Sequence, residues 1–165
     1  MNSINFNNLK IIKADTELLS TINFDCGDDD LNEFLLKDSF DNIKNKLSII
    51  YLCYYQKELV GFFTLSADSK KVNNKLKINY RTYPAVKIGR FAVEINQENK
   101  GIGTGLIDII KYALIDNPQS GCRFITVDAY NDAIPFYTKN GFVMVNSFQK
   151  DRRTQPMFFD LAQLL

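Results

Sequence analysis

Apolar and polar positions change rhythm several times along this chain of 165 residues, and each change predicts an element. Leu9 to Lys13 is a short apolar-rich run that suits a first edge strand. Phe24 to Asp30 supplies a turn and helix-start signals, after which Leu31, Phe34 and Leu35 recur at i, i+3 and i+4. Ser48 to Tyr55 and Glu58 to Ser66 are two apolar, β-rich runs separated by Gln56-Lys57, the pattern of a hairpin, and Gly61 marks a bulge or a tight contact. Lys70 to Tyr83 is polar and weakly periodic, which leaves a short helix and a surface loop open. Val86 to Val93 reads as a largely buried strand bounded by Pro84 and by the polar segment Glu94 to Lys100. A helix follows over Gly101 to Ile115, with Leu106, Ile109, Ile110, Ala113 and Leu114 on its packing face and Asn117-Pro118 as its stop. Arg123 to Ala129 is a further strand and Ala133 to Lys139 a short helix. Asn140-Gly141 turns the chain, and Phe142 to Phe148 and Met157 to Leu161 close it as strands. The order is mixed α/β, with one helical crossover joining neighbouring parallel strands.

Length fits one domain, residues 1–165, and no repeat or linker interrupts it. Hydrophobic residues at 45% and charged residues at 24% are ordinary for a globular protein, and no apolar run approaches the ~20 residues of a membrane span. The opening Met1-Asn2-Ser3-Ile4-Asn5 carries no secretion signal, so a cytoplasmic protein is expected. Histidine is absent and Cys26, Cys53 and Cys122 are widely spaced, which removes the usual zinc patterns and leaves a cysteine nucleophile without a histidine partner. No metal site is expected. The acids Asp25, Asp28, Asp29, Asp30 and Glu33 lack EF-hand spacing and read as helix capping. Net charge is only +1, yet Lys70, Lys71, Lys75, Lys77, Arg81, Lys87 and Arg90 occur without an intervening acid.

The chemistry gathers where the strand Val86 to Val93 meets Gly101-Ile102-Gly103-Thr104-Gly105. A glycine turn opening a helix presents backbone N–H groups at the positive end of the helix dipole and suits a pyrophosphate. The string lacks the lysine of a P-loop, and Gly105 comes one residue too early for a dinucleotide fingerprint. It resembles motif A of the GNAT superfamily of acetyl-CoA-dependent N-acetyltransferases, R/Q-x-x-G-x-G/A, with Glu98 standing where the family has Arg or Gln. A carboxylate beside a pyrophosphate is unfavourable, so Glu98 is expected to face solvent. Ala133-Ile134-Pro135-Phe136-Tyr137-Thr138-Lys139-Asn140-Gly141-Phe142 is similar to motif B of the same family.

The resemblance implies a single-domain GNAT-like fold with a mixed central sheet of about six or seven strands flanked by helices. It implies that Phe91, Ala92 and Val93 offer main-chain groups to acetyl-CoA, that Lys100, Gly101, Ile102, Gly103, Thr104 and Gly105 surround the pyrophosphate, and that Asn131 and Lys139 make outer contacts. Tyr137 is implied as the general acid. Phe136 and Phe142 are read as core. No general base stands out beyond Glu94 and Glu98, which favours an α-amine acceptor that is already partly neutral, unless water relays the proton.

Phe24 to Leu35, Ile88 to Val93 and Pro156 to Leu161 are together similar to one GNAT branch, the toxins of bacterial toxin–antitoxin pairs that acetylate the α-amine of aminoacyl-tRNA. That resemblance implies tRNA contact by Arg81, Lys87 and Arg90, with Tyr80 and Tyr83 interleaved. It also implies a small ribbon-helix-helix antitoxin as partner, and it leaves a homodimer open. The bland reading of the basic run is a solvated face and counter-charge for the cofactor. The rivals are a housekeeping enzyme acting on a small amine or a protein N-terminus, and a regulatory module that binds acyl-CoA without turnover.

Overall fold

Strand β1, Leu9–Lys13, runs antiparallel to β2, Ile49–Tyr55, from Leu9↔Tyr55 to Lys13↔Tyr51, and sits at the sheet edge as its sequence predicts. The computed structural model in which it lies describes residues 5–71, 81–116, 118 and 120–165. Strand β3, Glu58–Lys70, completes the hairpin with β2. Gln56 and Lys57 both have positive φ, 50° and 72°, the twist that a two-residue connection needs. Both readings of Gly61 hold. The register shifts beside it, with Cys53 opposite Gly61 and Tyr54 opposite Leu59, and a Cβ there would lie 2.8 Å from the Ala92 carbonyl oxygen.

Four further strands follow: β4 (Tyr83–Val93), β5 (Phe124–Tyr130), β6 (Val143–Met144) and β7 (Thr154–Asp160). Among the described residues they make one seven-stranded mixed sheet in the order β1-β2-β3-β4-β5-β7-β6. The β4/β5 pair is parallel, from Ala85↔Phe124 to Ile88↔Val127, as the predicted crossover demands. The described residues divide into two compact units, Met1–Ser66 with Gly89–Leu106 and Ala67–Ile88 with Ile107–Leu165.

In the first unit, Phe62 is the centre of the core, edge-on to Phe24 at 5.4 Å and stacked on Phe34 at 6.2 Å, with Leu35, Ile50, Leu52 and Ala92 around it. A short helix α1, Thr16–Leu19, which the apolar pattern did not predict, starts on the Asp15 cap. The acidic cluster works as capping: Asp28 accepts from the Leu31 N–H at 3.0 Å and Asp25 from Gly27 N–H and Asn32 Nδ2 at 2.8 Å. Helix α2, Asp29–Glu33, continues through a π-helical turn, Phe34–Asp38, into α3, Ser39–Lys44. Ser39, fully buried, returns its hydroxyl to the Leu35 carbonyl at 2.6 Å inside that turn.

In the second unit, β7 lies between β5 and β6, and Arg123 donates to both carboxylate oxygens of Asp160 at 2.7 and 3.0 Å. Several sequence boundaries need correction here. Pro84 is a residue of β4 rather than its boundary; the β4/β5 ladder begins at Ala85, so the missing N–H costs nothing there, and the Pro84 carbonyl accepts from Arg123 N–H at 2.8 Å. The predicted strand Phe142 to Phe148 shrinks to Val143–Met144, because Phe142 turns inward after Gly141 and the chain from Val145 onward bends away. The last strand starts at Thr154, ahead of the predicted Met157, and Leu161 already belongs to a terminal 3-10 turn.

Helix α4 spans Ile102–Asp116. Its packing face differs from the predicted one: Ile102, Leu106, Ile107, Ile110 and Lys111 are buried, Ile109 is half-buried and Ala113 exposed. A lysine at the decisive position hid the register. Asn117, the predicted stop, lies outside the described residues, as do 72–80 from the stretch read as helix or loop.

Candidate active site

The glycine turn forms where backbone geometry requires it. Asn99 and Gly101 take left-handed φ, 59° and 83°, to swing the chain from the Ile95–Gln97 turn into α4. The first four N–H groups of such a helix have no partner within it, and no acid stands in the first turn of α4. Ile102, Gly103 and Thr104 thus supply fixed donors and a positive dipole end with nothing of the same sign as a phosphate nearby on the helix, while the Gly105 N–H closes the first helical bond to the Gly101 carbonyl at 3.0 Å. Glu98, the odd residue of the motif, is exposed. Lys100 is exposed too and donates to Gln97 Oε1 at 3.1 Å.

Sequence reasoning missed one neighbour of this turn. The ring of Phe6 lies against it, so a Cβ at Gly105 would overlap the ring and one at Gly101 would lie 3.8 Å from it. The only sequence signal is an aromatic residue alone among Asn5, Asn7 and Asn8. Phe6 remains 44% exposed.

Phe91, Ala92 and Val93 lie on β4 past the end of its pairing with β5, which stops at Ile88. Further back, the Arg90 N–H goes to the hydroxyl of buried Thr64 at 2.9 Å instead of to a strand carbonyl, and Gly89 allows that approach.

Tyr137 sits on α5, Ile134–Lys139, and is buried with its ring edge-on to Phe136 at 5.1 Å and to Phe142 at 5.4 Å. Burial pushes the phenol well above its ordinary range, so the proton stays on at neutral pH. Phe142 is fully buried core, as its sequence context predicts, and Phe136 is half-buried. The amide of Asn131 is already engaged, donating to the Arg152 carbonyl at 2.8 Å and accepting from Gln155 at 3.2 Å, whereas Lys139 is exposed.

The basic run is less of a patch than its sequence suggests. Lys87 pairs with Asp128 at 2.6 Å, and Lys70 is buried with its ammonium 4.0 Å from the Phe158 ring centre. Arg90 lies 5.0 Å over Phe34 and is exposed, like Arg81. Lys75, Lys77 and Tyr80 lie outside the described residues. Glu94 accepts from both nitrogens of Asn96, at 2.8 and 3.0 Å, and so caps its own turn.

Cys53 is fully buried and its thiol is pushed up by desolvation, as is Tyr137. Both groups hold their protons more tightly folded than unfolded, so their contribution is complete below the unfolded values and is lost as pH rises. Urea midpoints should therefore decline from about pH 8.5, where an unfolded cysteine ionises, and more steeply above about pH 10, where an unfolded tyrosine joins it. A Cys53→Ala variant should lose part of the first decline, the remainder belonging to Cys26 and Cys122, whose thiols are also pushed up by desolvation.

Each unit carries one of the two motifs read from the sequence, the glycine turn that opens α4 in the first and the buried, proton-retaining Tyr137 in the second. The sequence model of the acetyltransferase (GNAT) domain matches residues 25–157, and the chain belongs to this family of acetyl-CoA-dependent acetyltransferases. Solved structures share its fold. AtaTR bound with acetyl-CoA aligns at TM-score 0.72 and 22% identity over 96% of each chain. AtaT complexed with acetyl-methionyl-tRNAfMet aligns at 0.70 and 22%, over 94% of this chain and 96% of that one. A mutant AtaT toxin bound to acetyl-CoA and the C-terminus of the antitoxin AtaR aligns at 0.68 and 19%, over 95% and 96%. Among the described residues no helix is long and apolar enough to cross a membrane.

Proposed function

We propose that this chain acts as one acetyl-CoA-dependent N-acetyltransferase domain on the α-amine of aminoacyl-tRNA, as a cytoplasmic toxin that blocks translation. The observation that carries the reading is Tyr137, a phenol kept protonated by burial on the helix that bears the second family motif. Bound acetyl-CoA supplies an activated acetyl carbonyl and a thiolate leaving group. Main-chain groups of Phe91, Ala92 and Val93 hold its pantetheine arm, and the N–H groups of Ile102, Gly103 and Thr104, with Gly101 and Gly105 leaving the space, take its pyrophosphate, with Lys100 and Lys139 as outer charges. Tyr137 gives its proton to the departing sulphur, and the proton that the amine sheds as the C–N bond replaces the C–S bond returns through water to the tyrosinate. A low-dielectric setting raises the basicity of a thiolate as it raises the phenol, which keeps the two matched.

Support for the acceptor comes from three sides. Glu94 is committed to its own turn, which favours an amine that needs no strong base, and an α-amine with pKa near ~8 meets that condition. Arg81 and Arg90 are exposed cations fit for phosphate contact. AtaT, of the same fold, is known with acetylated tRNA and with an antitoxin segment. We infer by the same likeness an antitoxin as partner and propose that it is a small ribbon-helix-helix protein; a homodimer is left open.

A second reading rests on the neutralised Lys87 and the buried Lys70, which thin the basic surface and favour a small amine or a protein N-terminus. Labelled acetyl-CoA offered to charged tRNA, uncharged tRNA, peptides and small amines separates the two. Label on charged tRNA alone is the expected result; label on peptides or amines with none on tRNA overturns the toxin, and no transfer to any acceptor leaves a module that only binds acyl-CoA.

A further inference from the structure

Lys111 is an anomaly on α4. It sits on the packing face at 7% exposure, where the apolar pattern calls for a leucine or methionine, and its ammonium must give up most of its water. The charge is accounted for by three groups. Lys111 Nζ donates to the Asn140 carbonyl at 2.8 Å, stands 4.2 Å from the centre of the Phe159 ring, and lies 3.7 Å from Oδ1 of Asp108, itself half exposed.

Those partners lead to Tyr137 by two routes. Along the backbone, Asn140 closes α5: its N–H bonds to the carbonyls of Phe136 at 3.2 Å and Tyr137 at 3.1 Å, and its side chain donates to Phe136 at 2.8 Å. Through the rings, Phe159 packs on Phe142 at 5.7 Å and Phe142 on Tyr137 at 5.4 Å, while the Phe142 N–H returns to the Tyr137 carbonyl at 3.0 Å. A helix of six residues has little stability of its own, so its placement depends on what holds its ends. A cation at its last carbonyls is also favoured by the helix dipole.

We propose that Lys111 is a positioning residue for Tyr137, tying the C-terminal end of α5 to α4 so that the phenol is held at one place. The proposal rests on the reading of Tyr137 as proton donor. An apolar residue of equal size would satisfy packing at lower cost, and a buried ammonium earns its place through the carbonyl it fixes.

The test compares Lys111→Met, Tyr137→Phe and the double variant, after thermal melts and acetyl-CoA titration have shown each to be folded. Lys111→Met should lower kcat about tenfold and leave KM for acetyl-CoA within about twofold, since misplacement by a fraction of an ångström acts on the chemical step. In the Tyr137→Phe background the same change should cost less than about twofold, because no phenol is left to position. Lys111→Arg, which keeps a donor for the Asn140 carbonyl, should recover at least half of the lost rate. If Lys111→Met does not fold, Lys111→Leu takes its place in the same cycle. Equal losses in both backgrounds, or a wild-type kcat in Lys111→Met, overturn the positioning role while a slow Tyr137→Phe keeps the donor. A Tyr137→Phe enzyme of wild-type rate overturns both, and that result is read from a different variant.

Discussion

Tyr137→Phe should slow acetyl transfer by about a hundredfold or more and leave the affinity for acetyl-CoA within about twofold of wild type. The phenylalanine ring keeps the edge-on contacts with Phe136 and Phe142, so the aromatic nest and α5 stay as they are, and what disappears is one hydroxyl with its proton. A positioned general acid contributes about 10² to 10⁴ in rate, and Tyr137 is a phenol whose proton burial retains on this helix. Because the phenol is raised by burial, the wild-type rate should not fall on its alkaline side until well above neutrality. Steady-state kinetics and calorimetric titration of both proteins check the split. A loss of less than about threefold in kcat removes Tyr137 from the chemistry; a large rise in KM with kcat intact makes it a binding residue instead.

Phe62→Ala is expected to be the most damaging single truncation in the first unit, costing about 3 to 5 kcal/mol. Phe62 has no exposed surface, and its ring is the common neighbour of Phe24 and Phe34, so truncation opens a cavity walled by two aromatic faces that cannot both collapse into it. Against a total stability of about 5 to 15 kcal/mol this is about a fifth or more of what holds the chain folded. Thermal melting should begin on the order of 10 °C lower. Ile49→Ala, at a position 40% exposed, is the control and should shift the midpoint little. A Phe62→Ala protein that melts within a few degrees of wild type would mean that the core is organised around other residues.

Element types were legible in the sequence where side chains alone decide them. The hairpin at Gln56-Lys57, the crossover from β4 through α4 to β5, and the glycine turn all follow from runs whose composition and spacing agree. What escaped depended on partners distant in sequence. Pro84 looks like a breaker until the ladder is seen to begin one residue later. Lys111 looks solvated until the Asn140 carbonyl, 29 residues on, is seen to hold it, and its true place shifts the buried face of α4 away from Ala113. The residues proposed to carry the chemistry were readable as motifs, but not Phe6 against Gly105, nor the commitment of Glu94 to Asn96, nor the pairing that takes Lys87 out of the basic run. Each of these is a contact formed by folding, and no local pattern announces it.

The π-helical turn at Phe34–Asp38 amounts to one residue more than a regular helix would use between α2 and α3. Such a turn absorbs an inserted residue while the helix on either side keeps its own face toward the core. The outer residues Leu36 and Lys37 therefore mark a spot where chain length is negotiable: losing one of them relaxes the bulge, whereas the same loss in α4 would rotate Ile107 and Ile110 out of register. Length variation among relatives of this chain, if it enters the first helix at all, should enter there.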